Sequence, residues 1–289
     1  MLLKIYYECE NTLSKSQRNI LIRKRFTMES SPELLLIDGS YYTFFRYYAL
    51  MQWYRHKNLT NELDTIEGLE KFTDKFRELF MKKFKEIPKK LKLSKNTKIV
   101  VALDCPRIQI WRKAIFPEYK ANRHSLVYME TELFKLVRNE ELFKKAGADI
   151  VIKHPHLEAD DCVALYLRNN NGVRANIITS DLDYLQLADD NTKLYDLKFK
   201  DLTDSAQSFK DSSKDLFCKI VIGDKSDNIP GVFKRCGLKT AEKYYENQEL
   251  FKQKLSKDNS WSQYELNKQL IDFRMIPKEY VESFGMLLK

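Results

Sequence analysis

Three short apolar runs in this chain each end on an aspartate. Leu34-Leu35-Leu36-Ile37 meets Asp38, Ile99-Val100-Val101-Ala102-Leu103 meets Asp104, and the run through Asn176-Ile177-Ile178-Thr179 leads to Asp181. Apolar runs without polar alternation are buried on both faces, as the strands of a parallel sheet are. Asp149 to Lys153 reads as a fourth strand. Helical stretches separate them: one follows the aromatic segment Tyr41 to Tyr48, and one follows Glu158. A third covers 66–87, where Leu69, Phe72, Phe76, Leu79, Phe80, Phe84 and Ile87 recur at spacings of three and four. The alternation predicts an α/β fold, a mostly parallel central sheet with helices on both faces. Ligands of open parallel sheets bind at the C-terminal strand edge. A single aspartate there is an ordinary helix N-cap. Three of them in one sheet point to a site.

Two further acid sets fall beside core sequence: Glu158-Ala159-Asp160-Asp161 and Asp181-Leu182-Asp183. Crowded carboxylates repel and raise one another's pKa unless a cation sits among them. Divalent metal answers that need. All-carboxylate donors suit Mg²⁺, with Mn²⁺ able to substitute, whereas His and Cys would suit zinc. The histidines His56, His124, His154 and His156 do not cluster with the acids at ligand spacing. Two divalent ions roughly 4 Å apart are a standard device for phosphodiester hydrolysis.

Charge sharpens this. The 289 residues carry 50 Lys and Arg against 41 Asp and Glu. If nine of those acids line one metal site, the remaining surface suits a polyanion, most simply nucleic acid. No stretch approaches the roughly 18 apolar residues of a membrane span, and the N-terminus lacks a secretory apolar region. Five widely spaced cysteines form no zinc pattern, so reduced thiols and an intracellular, cytoplasmic or nuclear location are expected. Residues 1–30 are polar and patternless, either a disordered tail or sequence upstream of the functional start. Lys89-Lys90-Leu91-Lys92 reads as a solvated loop, and also loosely as a nuclear import signal.

Around Phe116-Pro117-Glu118-Tyr119-Lys120-Ala121-Asn122-Arg123, the cations Arg107, Arg112 and Lys113 interleave with Ile110, Trp111, Tyr119 and Tyr128. Such a mixture suits a single strand of nucleic acid, or an ordinary amphipathic surface helix. Further on, the turn-rich Gly223 to Val232 lies between two helical stretches, one ending over Cys218 to Ile222 and one opening at Thr240. Helix, hairpin loop, helix offers backbone N–H groups to phosphate.

Together these motifs resemble the 5′-nuclease superfamily, in its bacteriophage and bacterial polymerase I N-terminal-domain branch. Ile37-Asp38-Gly39-Ser40, Leu103-Asp104, Glu118 to Arg123, Glu158 to Asp161, Thr179 to Leu187 and Gly223 to Val232 occur in the family's order. The resemblance implies a PIN-like nuclease core over 31–205, a helical arch at about 105–135, and a helical region over 206–289. A helix–three-turn–helix DNA-binding module would occupy about 216–246. It implies one metal region from Asp38, Asp104, Glu158, Asp160 and Asp161, and another from Asp181, Asp183, Asp224 and Asp227. Lys120 and Arg123 would act on the scissile phosphate. Arg112, Lys113 and Tyr119 would contact DNA, Tyr119 by stacking on a terminal base. Gly231, Gly237, Lys239 and Thr240 would grip the duplex with a bound K⁺. The implied reaction is hydrolysis at a 5′ end or 5′ flap, one nucleotide past the junction, leaving a 5′-phosphate. A monomer acting on branched or 5′-ended DNA in replication, repair or recombination is expected.

The sequence departs from the pattern in places. The hairpin Gly231-Val232-Phe233-Lys234-Arg235-Cys236-Gly237 is one residue longer than the family's and lacks one Gly. The 65 residues between Asp38 and Asp104 exceed the phage spacing, so an inserted helix is expected. No sliding-clamp box is seen. Two alternatives stand beside the main reading: a PIN-like ribonuclease, which leaves the hairpin unexplained, and an inactive nucleic-acid-binding relative, which would have lost a ligand acid.

Overall fold

The structure is a computed structural model and describes residues 32–123 and 127–288. The expected tail over 1–30 lies outside the described residues. Five strands form one all-parallel sheet: β1 (Glu33–Asp38), β2 (Lys98–Leu103), β3 (Ile150–Lys153), β4 (Arg174–Ile178) and β5 (Thr192–Tyr195). Their order is β3-β2-β1-β4-β5. The chain winds outward from β1 through β2 to β3, then returns to place β4 on the other side of β1. The winding therefore reverses between β1 and β4, and a crevice opens at their C-terminal ends.

The helices, in chain order, are α1 (Gly39–His56), α2 (Ile66–Lys90), α3 (Arg112–Ile115), α4 (Tyr128–Asn139), α5 (Leu142–Lys145) and α6 (Ala159–Asn169). Then come α7 (Ser212–Ile222), α8 (Leu238–Glu246), α9 (Gln248–Lys257), α10 (Trp261–Ile271) and α11 (Lys278–Leu287). Side chains alternate along β1, so one strand serves two cores. Leu34 and Leu36 pack with Cys162, Leu165 and Tyr166 of α6, while Leu35 and Ile37 pack with Tyr42 of α1 and the Phe72, Phe76 and Phe80 stripe of α2. Helices do cover both faces. None of the described helices is long and apolar enough to cross a membrane.

Three local readings need correction. α2 runs through Pro88 to Lys90, because a proline in the last turn removes only one ladder donor; Lys89 and Lys90 are thus helical. β5 escapes the sequence reading because Thr192-Lys193-Leu194-Tyr195 is short and alternates like a surface strand. The C-terminal stretch, which says little as sequence, buries Phe273, Ile276 and Phe284 in the α6-side core. Gln186 locks that return, accepting from Phe273 N over 3.0 Å and donating to Ile271 O over 3.0 Å.

Candidate metal centre and nucleic-acid interface

Each acid reaches the sheet edge through a backbone rule. Asp38 ends β1 and caps α1, its Oδ1 accepting from Tyr41 N over 2.9 Å. Asp181 follows β4 and caps the 3₁₀ turn Leu182–Leu187, accepting from Asp183 N over 2.9 Å. Asp104 follows β2 and accepts from Ala159 N over 2.8 Å at the start of α6. Asp38 and Asp181 are therefore N-caps and also stand at the C-terminal edge of the sheet. A cap uses one carboxylate oxygen and turns the other outward.

Among the nine expected acids, two groups gather, one within each of the two expected sets. Glu158, Asp160 and Asp161 bring ligand atoms within 4.8 Å of one another, and so do Asp183, Asp224 and Asp227. Asp38 is repelled by both Asp104 and Asp181. Asp227 leans toward the first group: Tyr119 Oη lies 3.0 Å from Glu158 Oε2 and 3.0 Å from Asp227 Oδ2. The acids make one continuous wall.

Two motifs about a hundred residues apart are interlocked in front of that wall. Lys120 N donates to Asp227 O over 2.9 Å, Asn122 Nδ2 to Lys225 O over 2.7 Å, and Asn228 Nδ2 to Glu118 O over 2.9 Å. Lys120 sits at φ 57°, a left-handed backbone that costs a non-glycine residue about 1 kcal/mol or more. Such strain persists where surrounding contacts over-determine it. Its Nζ bonds Glu158 Oε1 and lies 3.5 Å from Asp227 Oδ2. Burial acts to lower the Lys120 pKa, but Glu158 and Asp227 prevail and hold it well above the ordinary lysine value. Arg123 pairs with Asp227 Oδ1 while leaving its side chain 41% exposed.

Two assignments do not survive. Arg112 is 2% exposed. Its guanidinium donates to Asp161 Oδ1 at 2.7 Å, Asp161 Oδ2 at 2.8 Å, Glu158 Oε2 at 2.9 Å and Leu270 O at 2.7 Å, so four of its five N–H donors are spent inside the protein and the group is buried from DNA. It is a buried counter-ion tying α3 to α6 and α10. Tyr119, also 2% exposed, cannot stack on a base; its hydroxyl bridges the acid wall. Lys113 remains half-buried, and Gly231, Gly237, Lys239 and Thr240 are exposed on the hairpin. There, Arg235 takes a left-handed φ of 57° in the stretch where the family carries its additional glycine. A Cβ on Gly231 would meet Ile222 O at 2.7 Å, which explains that glycine by packing alone.

The sequence reading missed Lys219. On the last turn of α7, its Nζ lies 2.6 Å from Asp183 Oδ1 and 2.5 Å from Asp224 Oδ2. Nothing in the sequence separates it from the many surface lysines. Tyr184 was also missed, its Oη lying 3.4 Å from Asp38 Oδ2.

The electrostatics fit a divalent cation. Asp38, Asp104, Asp160 and Asp181 have no ion-pair partner among the described residues. Burial, then Asp104, pushes Asp38 up to about 7. Burial, then Asp181, pushes Asp183 up to about 7 despite Lys219. Asp160 is held well above its usual range by burial and Asp161. Asp183 Oδ1 is buried without a hydrogen-bond donor. Lys219 alone does not offset the crowding of these acids, which calls for further positive charge.

Beside the wall, a cleft of about 1180 Å³ is lined by Asp104, Lys120, Arg123 and Glu158 at one end. Phe44, Tyr48 and Phe134 line it further along, with Lys135, Arg138, Lys144 and Lys153.

The model of the 5′-3′ exonuclease, N-terminal resolvase-like domain, matches residues 33–214. The chain belongs to the 5′-3′ exonuclease family. Within that family it is 31% identical over 222 residues to the 5′-3′ exonuclease of Buchnera aphidicola subsp. Acyrthosiphon pisum, covering 72% of this chain and 68% of the relative. It is 27% identical over 257 residues to DNA polymerase I of Lactococcus lactis subsp. cremoris, covering 80% of this chain but 27% of that enzyme. In three dimensions it aligns with a bacteriophage T5 D15 flap endonuclease variant in a pseudo-enzyme-product complex with DNA and metal ions. That likeness has a TM-score of 0.59 at 17% identity over 89% of this chain and 97% of the other, and it establishes the shared fold.

Proposed function

We propose that this chain is a divalent-metal-dependent 5′ nuclease that hydrolyses DNA phosphodiesters at 5′ flaps and 5′ ends. The observation that carries the reading is the interlock of the Glu118–Arg123 segment with the Lys225–Asn228 loop, which holds Lys120 and Arg123 against the acid wall. Asp38, Asp104, Glu158 and Asp160 would hold one cation, and Asp181, Asp183, Asp224 and Asp227 the other, with Mg²⁺ the natural occupant of all-oxygen donors. Asp161, of the same acid group as Glu158 and Asp160, takes bonds from Arg112 and Trp111 Nε1 that fix its carboxylate beside the others. Bound there, the ions would supply an activated water and charge for the leaving oxygen.

This chain's own residues do the rest. Lys120 stays protonated across the physiological range, so it acts as a fixed positive charge on the phosphate rather than as a base. Arg123, half in solvent, offers a planar fork to phosphate oxygens. Tyr119 and Lys120 lock Glu158 and Asp227 in place. The exposed Gly237, Lys239 and Thr240 at the start of α8 hold the duplex through its backbone, with K⁺ as an additional ligand of that loop. The aromatic and basic cleft receives the 5′ single strand. The protein acts as a monomer.

A labelled 5′-flap duplex, a gapped duplex and single-stranded RNA, each offered with Mg²⁺ and with EDTA, test the reading. Cleavage of the flap near its junction, dependent on Mg²⁺ and leaving a 5′-phosphate, is expected. Cleavage of RNA alone would overturn it.

A further inference from the structure

Lys219 stands where a cation is most needed. Its ammonium lies 2.6 Å from Asp183 Oδ1 and 2.5 Å from Asp224 Oδ2, two of the three acids whose ligand atoms gather within 4.8 Å. The side chain is 26% exposed and those of Asp183 and Asp224 are each 12% exposed, so the lysine is more open to solvent than the acids it pairs. The lysine springs from the final turn of a helix, where a cation also meets favourable backbone carbonyls.

The fit is incomplete. Asp183 Oδ1 accepts no well-directed hydrogen bond although the ammonium is close. One unit charge faces Asp183 and Asp224, while Asp181 also repels Asp183. A divalent ion would serve these oxygens better. An ammonium at 2.5–2.6 Å and a metal at ligand distance cannot share the same two oxygens, since their mutual repulsion at that range is large.

We propose that Lys219 is an internal counter-ion that holds the Asp183–Asp224 pocket closed and charge-balanced before metal arrives, and that divalent metal binds there by expelling it. The inference rests on the metal reading above and adds an exchange to it. Lys219 thereby lowers metal affinity at this pocket while stabilising the metal-free protein. It also leaves a mobile ammonium at the rim once metal is in place.

The test uses the full chain stripped with EDTA and titrated with Ca²⁺, followed by calorimetry, for wild type, Lys219→Met and Lys219→Arg. Lys219→Met is expected to bind Ca²⁺ about fivefold or more tightly, the low end of coupling between two linked ligands, and to melt at lower temperature without metal. Lys219→Arg keeps a competing cation and should stay near wild type. A second measurement needs no variant: the ¹⁵N–¹H signal of the Lys219 ammonium should be seen in the metal-free protein and shift or vanish at saturating Ca²⁺. Unchanged or weaker Ca²⁺ binding by Lys219→Met, or an ammonium signal indifferent to bound Ca²⁺, overturns the exchange while leaving the metal site standing. Failure of wild type and both variants to bind Ca²⁺ would remove the metal site itself, and the exchange with it.

Discussion

The backbone N–H of Lys120 donates to the carbonyl of Asp227 over 2.9 Å, and the two side chains meet again, Nζ to Oδ2, at 3.5 Å. A residue from the segment after β2 and one from the loop after α7 are thus joined twice. The cation is fixed to the acid it must work beside. Lys120→Ala should therefore slow the single-turnover cleavage step by 10²-fold or more, the scale of a lost charge-stabilising donor, with a smaller loss of flap binding. Equal losses in both would make Lys120 a plain phosphate contact.

Arg112 separates a structural cation from a binding one. Arg112→Met leaves Asp161 buried without its counter-ion and Glu158 with Lys120 alone, and breaking a buried pair this way costs about 3–5 kcal/mol. Denaturant unfolding should show that loss. The salt dependence of DNA binding, read at a temperature where the variant is folded, should keep its slope; a slope shallower by about one would place Arg112 on a phosphate.

Tyr119 is tested by the smallest possible change. Tyr119→Phe keeps the ring and deletes the hydroxyl that lies 3.0 Å from both Glu158 and Asp227. Cleavage should fall and metal affinity weaken while flap binding holds. If the ring stacked on a base, Phe would be neutral and only Ala harmful.

The pH dependence has a definite sign. Asp38 and Asp183 are raised to about 7 in the folded chain, against about 3.9 for an unfolded aspartate. Between these values the folded state holds the extra protons, so these two groups stabilise the metal-free protein at low pH. That contribution is lost as pH rises toward 7. Divalent metal needs the carboxylates bare. Metal affinity should rise steeply from pH 5 to 7, and binding near pH 6 should release protons, measurable by calorimetry in buffers of different ionisation enthalpy. Binding independent of pH in that window would contradict the shifts.

Much of this was legible from local pattern. Apolar runs ending in Asp38, Asp104 and Asp181 announce a parallel sheet and its working edge, because burial and strand direction leave a local trace. β5 left a weaker one, as an edge strand needs less apolar sequence. Arg112 and Tyr119 were misplaced because composition cannot tell a cation facing solvent from one buried against Asp161. Lys219 was invisible, since its role comes from where α7 ends relative to Asp183, a fact of tertiary packing. The C-terminal return of Phe273 and Phe284 to the core was hidden for the same reason.

The central claim is that the acid wall at the sheet edge drives metal-dependent cleavage at a 5′ junction. Asp183→Asn, assayed on a labelled 5′-flap duplex with Mg²⁺ beside wild type, tests it most directly. The account predicts Mg²⁺-dependent cleavage near the junction by wild type, no cleavage by the variant, and flap binding retained by both. A fully active Asp183→Asn, or cleavage by wild type undiminished in EDTA, would contradict it.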